Sequence, residues 1–422
     1  MSSIKYLAVL AGFVGLSVVG TTLFSAYAHD KYVENAISRI SASSAGDLEV
    51  REVSADNGFL ARMKTYEFRY RRGALAFTLM VQTNFYPFYE KNEFLISNIS
   101  GDLIKCPYCD YKDLSIEGGW DANYLSNSYS GMYRQGGSNS SFSSKSGEGA
   151  ISVSGISGDF RGAFGDRLTH FGVKVDQIMT DDARTGFNTV VKRLVGDVDI
   201  SARPGVFLLN TQNFMVNVYE SKNVSTGEKI SLERGSISIE SSQSGGLADL
   251  KATIDLKSYQ HNNPKWDNDF QISNGTMDLM VTNADQTFWI DLASIFHNLF
   301  HMDGGFRYDV FDRMRKNGTA VDIQRMMLVS KESRGLLKID KGSQIRFAPG
   351  KKNSKEALDM VVQFKVNDGF INDFPDGKTL KQKFNNNDWL VHRSTDSKDE
   401  YSTQLVIRQG HCAIGENELE GC

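Results

Sequence analysis

Across 422 residues the chain has no marked excess of either charge, with 47 Lys and Arg against 51 Asp and Glu, a formal net charge of −4 and a pI near 6.0. No basic stripe runs through it and no nucleic-acid module is recognisable, which argues against polyanion binding, a role that needs clustered cations. Common catalytic signatures are missing too. There is no G-x-S-x-G and no G-x-x-x-x-G-K-[ST], and Gly245-Gly246 opens no dinucleotide-binding context. Carboxylates such as Asp181-Asp182 and Asp197 with Asp199 lie among turn residues and form no catalytic pair. Neither a catalytic residue nor a cofactor is expected.

One stretch lacks charge entirely: YLAVLAGFVGLSVVGTTLFSAYA, Tyr6–Ala28, directly after Lys5. About 20 helical residues at ~1.5 Å each cross the hydrocarbon core of a bilayer. Residues 1–28 therefore predict an uncleaved transmembrane anchor. Lys5 and the amino terminus hold the leading end in the cytoplasm and place the chain after Asp30 outside, in the periplasm of a bacterial inner-membrane protein. Ala26-Tyr27-Ala28 also satisfies the small-x-small rule for signal peptidase, so secretion after cleavage is the alternative.

Cysteine is scarce, with four in the chain. Cys106-Pro107-Tyr108-Cys109 has the spacing of a glutaredoxin active site. A redox pair of this kind needs its first thiol at a helix N-terminus, where the dipole lowers its pKa. Here DYKDLSIEGGWD follows, polar and without helical apolar spacing. In an oxidising compartment the expectation is two local structural disulfides, Cys106–Cys109 and Cys412–Cys422. Thiol–disulfide chemistry, or a metal site shared by all four, is the alternative.

Hydrophobic residues make up 40% of the chain and charged residues 23%, which is enough for a folded protein of more than one domain. DKYVENAISRISASS (30–44) spaces Val33, Ile37 and Ile40 for a helix with Asp30 as its cap, so residues 29–47 read as a membrane-proximal helix and linker. From about residue 48 the period becomes two. MKTYEFRY alternates Tyr66, Phe68 and Tyr70 with charges, and ALAFTLMVQ sets Leu75, Phe77, Leu79 and Val81 on one side. LADLKATIDLK and DMVVQFKVND repeat the pattern with Leu250, Ala252, Ile254, Leu256 and with Met360, Val362, Phe364, Val366. Such alternation predicts a mainly β (α+β) fold of long amphipathic antiparallel strands, in a curved sheet or a sandwich.

Turns are expected at Asn57-Gly58, Arg72-Gly73, Ser100-Gly101-Asp102, Gly245-Gly246 and Asn274-Gly275. Helical spacing is concentrated in 291–332, where 291–302, 306–318 and 320–332 read as three short helices, with a weaker one at 182–194. The Ser-, Gly- and Asn-rich stretch 124–149 reads as a mobile loop between a front β region (48–123) and a rear one (150–422). His297 and His301 stand four apart with Asp303 nearby, a spacing able to face one metal. Asn298 replaces the glutamate of HExxH, so the pair reads as partly buried histidines and no metal is expected. His29, His170, His261, His392 and His411 show no metal-like spacing.

The layout resembles the YdgA-like family of bacterial envelope proteins, a domain of unknown function. VVGTTLFSAYAHDKYVENAI (18–37) is similar to the family's anchor followed by Tyr and a short charged segment, and VSADNGFLARMKTYEFRY (53–70) to its Gly-Phe/Leu entry into a first hairpin. TNFYPFYEKNEF stands where the family has His-Gly-Pro, and the four cysteines are not a family hallmark. The resemblance implies no catalytic residues. Its looser AsmA-like relatives imply a β-rich envelope protein linked to lipid homeostasis and transport.

The expectation is therefore a membrane-tethered periplasmic β protein that binds an amphiphile or supports envelope assembly, and is not an enzyme. Leu250, Ile254, Met360 and Phe364 are the expected lining of an open apolar groove. If the apolar faces instead pack on each other, the same residues close a sandwich core. The alternative function is a scaffold contacting envelope proteins through 291–332 or the serine-rich stretch. An exported thiol-redox or metal-dependent enzyme comes third. The expected partners are the inner membrane, with lipid or envelope proteins beside it, and no nucleic acid.

Overall fold

The computed structural model describes residues 17–35, 37, 48–70, 76–100, 113–136, 141–146, 149–164, 167–201, 208–244, 247–266, 269–284, 314–331, 334–350, 357–386, 391–394, 399–415 and 417–419. The chain divides into two compact units, Met1–Pro204 and Gly205–Cys422. The division lies at 204–205 rather than in 124–149. The described residues are mainly β, and every strand pair among them is antiparallel.

In the first unit a helix, α1 (residues 17–35), precedes eleven strands. These are β1 (Leu48–Asn57), β2 (Ala61–Tyr70), β3 (Ala76–Tyr86), β4 (Tyr89–Ser100), β5 (Ile116–Asn123), β6 (Ser128–Gln135), β7 (Ser141–Ser146), β8 (Gly149–Ser154), β9 (Ser157–Ala163), β10 (Arg167–Asp182) and β11 (Phe187–Ser201). Strands β1 to β6 pair in sequence order, and β9, β10 and β11 continue the sheet. β8, itself joined to β7, pairs with the part of β10 beyond β9. Aromatic rings fill one face by lying over glycines of the neighbouring strand. A Cβ on Gly118 would come within 2.7 Å of the Phe94 ring, and one on Gly131 within 2.6 Å of Phe160. Only glycine fits beneath them.

The second unit contains β12 (Leu208–Asn223), β13 (Lys229–Ser244), β14 (Leu247–Asn262), β15 (Phe270–Ala284), β16 (Ala320–Ser330), β17 (Leu336–Ile339), β18 (Ser343–Phe347) and β19 (Leu358–Asn367), then helices α2 (Asp368–Asp373) and α3 (Gly377–Asn385). β20 (His392–Arg393), β21 (Glu400–Arg408), β22 (His411–Ile414) and β23 (Asn417–Leu419) complete it. β12 to β16 pair in order, β17 and β18 together bridge β16 to β19, and β21, β22 and β23 follow. α2 is capped by Asn367, whose Oδ1 accepts from Phe370 N at 3.0 Å. It buries Phe370 and Ile371 against Ile272, Val366, Phe384, Val391 and Tyr401, the main core of this unit.

One turn chemistry recurs in both units. Asn123, Asp182 and Asn223 each end a strand and accept two backbone N–H bonds on Oδ1, from residues two and three further on. Each turn then closes on a left-handed residue, Asn127, Gly186 or Gly227, where Gly and Asn carry the least strain.

Several expectations are corrected. α1 runs unbroken through Ala28 and Asp30, so no boundary separates an anchor from a membrane-proximal helix. Asp30 is internal to α1 and pairs with Arg62 instead of capping. Residues 1–16 and 38–47 lie outside the described residues, and no helix among the described residues is long and apolar enough to cross a membrane. Residues 182–194 form a turn and the start of β11, as the β-branched Thr189, Val190 and Val191 favour. The stretch 124–149 holds β6 and β7. Serine and glycine there masked an alternation in which Tyr129, Gly131 and Tyr133 share a face.

Residues 320–330 are strand β16, not helix. Ile323 faces Leu279 and Arg325 faces Asp278, leaving Gln324 bulged. The extra residue puts the apolar positions at 321, 323, 326 and 328, and the gap of three imitates a helical period. Of the expected helix 306–318 only 314–318 is described, one helical turn at 314–317 that ends at Gly318, while 291–302 lies outside the described residues. Asn274-Gly275 is no turn; it lies inside β15 at a register shift. The Arg72-Gly73, Gly101-Asp102 and Gly245-Gly246 signals fall outside the described residues.

Candidate functional site

Residues directly opposite in an antiparallel ladder share a face, and the register therefore assembles the second unit's surface row by row. One row runs Leu250, Val281, Val321, Ile345, Met360, Ile407 and Cys412. Another runs Phe214, Ile237, Ile254, Met277, Met326, Ile339 and Phe364. A third runs Leu256, Gly275, Leu328, Leu337, Val366 and Tyr401. The opposite face is wet. Arg325 Nε reaches Asp278 Oδ2 at 3.1 Å, and Thr253 Oγ1 donates to Asp278 Oδ1 at 3.0 Å.

The three apolar rows are not equally covered. Leu250 and Val281 pack with Ala248, Ala284 and Met314. The Val366–Tyr401 row lies in the core built by α2 and α3. The row between them is open at one end, with Phe214 38% and Ile237 40% exposed. Ile254, Met277 and Met326 are half-buried and belong to neither cluster. Of the four residues nominated from the sequence, Leu250 is buried at 2% exposure, while Ile254, Met360 and Phe364 are half-buried. They fall in two rows of one face; Ile254 lies in the row that opens at Phe214 and Ile237, and Phe364 closes the other end of that row by packing against the α2–α3 core.

The first unit carries a different feature, a polar cluster closed from solvent beneath α1. Glu90 is 3% exposed. Its Oε2 lies 3.0 Å from His29 Nδ1 and accepts from the Tyr124 hydroxyl at 2.6 Å, while its Oε1 accepts from Asn92 Nδ2 at 3.0 Å. Thr83 donates to Asn92 at 2.6 Å, and Ser25 of α1 donates to the Tyr86 carbonyl at 2.8 Å. Burial and the Glu90 carboxylate push the Tyr124 phenol well above its usual range. Both oxygens of Glu90 are engaged, so the cluster fastens α1 to the sheet and leaves no reactive position free. Around it α1 is inverted. Thr22, Ser25, Ala26 and His29 face inward, and Val18, Val19, Leu23, Phe24 and Tyr27 are exposed.

That cluster was not foreseen, although a signal was present. β3 and β4 place Leu79, Val81, Ile96 and Phe94 on one face, then Thr83, Phe85, Asn92 and Glu90 in the same phase. Polar residues continuing an apolar face mean that something polar packs there.

Of the remaining candidates, the described His170 and His261 lie against carboxylates. His170 Nδ1 lies 2.9 Å from Asp199 and its Nε2 3.3 Å from Asp159, while His261 Nε2 lies 2.7 Å from Glu228. Among the described residues no group of three or more His, Cys, Asp and Glu could hold a metal ion. His297, His301 and Asp303 lie outside the described residues. Cys412 is buried and disulfide-bonded; Cys106, Cys109 and Cys422 lie outside the described residues. A polar depression of about 370 Å³ between Asp121, Tyr129 and Arg161 is open to solvent and gathers no convergent set of groups. Comparison of the chain with family models, curated proteins and solved structures finds no match.

Proposed function

We propose that this is a membrane-tethered protein of the bacterial periplasm whose second unit binds the apolar chain of an amphiphile along the Phe214–Phe364 row. The observation that carries the reading is the uneven cover of one apolar face: Leu250, Val281 and Val321 pack in one cluster and Phe364, Val366 and Tyr401 in another, while the Phe214–Ile237 end of the row between them is exposed. Six strand spacings of about 4.8 Å make that row roughly 29 Å long. Each methylene removed from water there contributes about 0.8 kcal/mol. The resemblance to the YdgA-like family, an anchor built on the uncharged run Tyr6–Ala28 and the two local disulfides belong to this same proposal.

Ile254→Glu tests it. A row open to water hydrates the new carboxylate, whereas a closed core does not. The full chain, purified from membranes in mild detergent, is expected to carry lipid in native mass spectrometry. Ile254→Glu is expected to lose that lipid and keep its circular dichroism spectrum. Unfolding of Ile254→Glu together with lipid-free wild-type protein sinks the reading and favours a scaffold that acts through protein contacts.

A further inference from the structure

We infer that one end of the first unit's sheet, together with the outer face of α1, lies in the headgroup region of a lipid bilayer. This rests on the tether proposed above and specifies how the protein meets the membrane.

Four connections stand side by side at that end. Phe85 N donates to Leu60 O at 2.9 Å, Tyr124 N to Phe88 O at 2.9 Å, and Phe164 N to Asn127 O at 3.3 Å. These bonds join the β1–β2, β3–β4, β5–β6 and β9–β10 connections into one row. Three of the four carry no charge, Gly58-Phe59-Leu60, Pro87-Phe88 and Tyr124 to Asn127, while the β9–β10 connection has the sequence Phe164-Gly165-Asp166. Phe59, Leu60 and Tyr86 are exposed, and Leu125 is 75% exposed. Turn tips are ordinarily the most water-seeking part of a sheet. The opposite end of β10 follows that rule with Asp182-Ala183-Arg184-Thr185.

α1 lies against the apolar end. Phe24 stands 5.8 Å from the Phe88 ring and 6.2 Å from the Tyr124 ring, and Ser25 bonds the Tyr86 carbonyl. The exposed Val18, Val19, Leu23, Phe24 and Tyr27 extend the patch along the helix. Two observations name lipid as its occupant. The exposed residues belong to the uncharged run Tyr6–Ala28, whose earlier part continues upstream of Ser17. The hydroxyl of Thr21, beside the exposed Val18, is also satisfied without water: it donates to Ser17 O at 2.8 Å, the arrangement by which Ser and Thr are accommodated in hydrocarbon. Exposed aromatic and aliphatic side chains at this level match the interfacial belt of membrane proteins.

The test uses the full chain in vesicles of phosphatidylethanolamine and phosphatidylglycerol containing brominated acyl chains. Leu125→Trp and Arg184→Trp each add one fluorophore at an exposed turn, at opposite ends of the sheet. Bromolipid is expected to quench the Leu125→Trp signal at least threefold more strongly than the Arg184→Trp signal. Equal quenching of the two, in protein that still resists alkaline carbonate extraction, overturns the seating and leaves the tether standing. Release by carbonate overturns both.

Discussion

The two units cover their sheets with helices in opposite ways. In the second, α2 and α3 press Phe370, Ile371 and Phe384 onto an apolar floor of Ile272, Val366 and Tyr401. In the first, α1 sets Ser25 against the Tyr86 carbonyl and His29 against Glu90, whose carboxylate is held in turn by Asn92 and, through it, Thr83. The inward face of a helix decides what its outward face must be. α3 turns Lys378, Gln382 and Asn385 outward toward water, whereas between residues 18 and 29 α1 buries Thr22, Ser25 and His29 and shows Val18, Val19, Leu23, Phe24 and Tyr27; its charged Lys31 and Glu34 are exposed beyond that stretch. A buried polar seam is also less forgiving than an apolar one, because each member relies on the others for hydrogen bonds.

Breaking the two seams in turn tests that contrast. Glu90→Leu strips acceptors from His29, Asn92 and Tyr124 and is expected to destabilise the first unit by about 3–5 kcal/mol. Urea denaturation reads the loss, and proteolysis at Lys31 should accelerate. Ile371→Ala, a cavity in the apolar seam, is expected to cost the second unit about 2–4 kcal/mol, with α1 still protected. A milder effect for Glu90→Leu than for Ile371→Ala would remove the contrast.

The shared turn chemistry supplies a control, since it belongs to both units. Asn123→Ala and Asn223→Ala each lose two backbone bonds at an exposed turn and should cost about 1 kcal/mol apiece. Equal shifts in the two midpoints leave the difference between units with the helices, and a large inequality would place it in the turns.

The smallest expected effect is on pH dependence. Burial, followed by the carboxylates of Glu52 and Asp30, pushes the Tyr66 phenol up to about 12. The folded value lies above the unfolded one, so this contribution is complete below pH ~10 and fades as pH rises through about 12. Denaturation of the first unit between pH 9 and 12 should therefore show a decline that Tyr66→Phe flattens. An unchanged slope in Tyr66→Phe would assign the decline to other groups.

Much of this architecture was legible in residues that alternate without interruption. Leu250 to Leu256 and Met360 to Val366 announced one apolar face, and the register places them together. What stayed hidden was hidden for physical reasons. A bulge at Gln324 gave β16 a helical spacing, and Gly131 beneath Phe160, among serines, made β6 look like loop. Ile254 predicts a wet–dry strand, but only register shows that it aligns with Phe214 and Phe364, because partners across a ladder leave no trace in either strand alone. The Glu90 cluster joins residues 61 positions apart, and only the lapse of an apolar phase into Thr83 and Asn92 hinted at it.

Asp30 and Arg62 have one more consequence. They pair where α1 crosses the sheet, Lys64 lies 3.9 Å from the same carboxylate, and His29 and Ser25 hold the turns before it. A domain on a flexible leash swings freely and feels nothing of how its anchor tilts. A domain gripped along successive turns of its helix behaves as a bracket bolted to a shaft. Under the tether proposed above, a force on α1 would pass directly to β2, β3 and β4 of the first unit through these contacts.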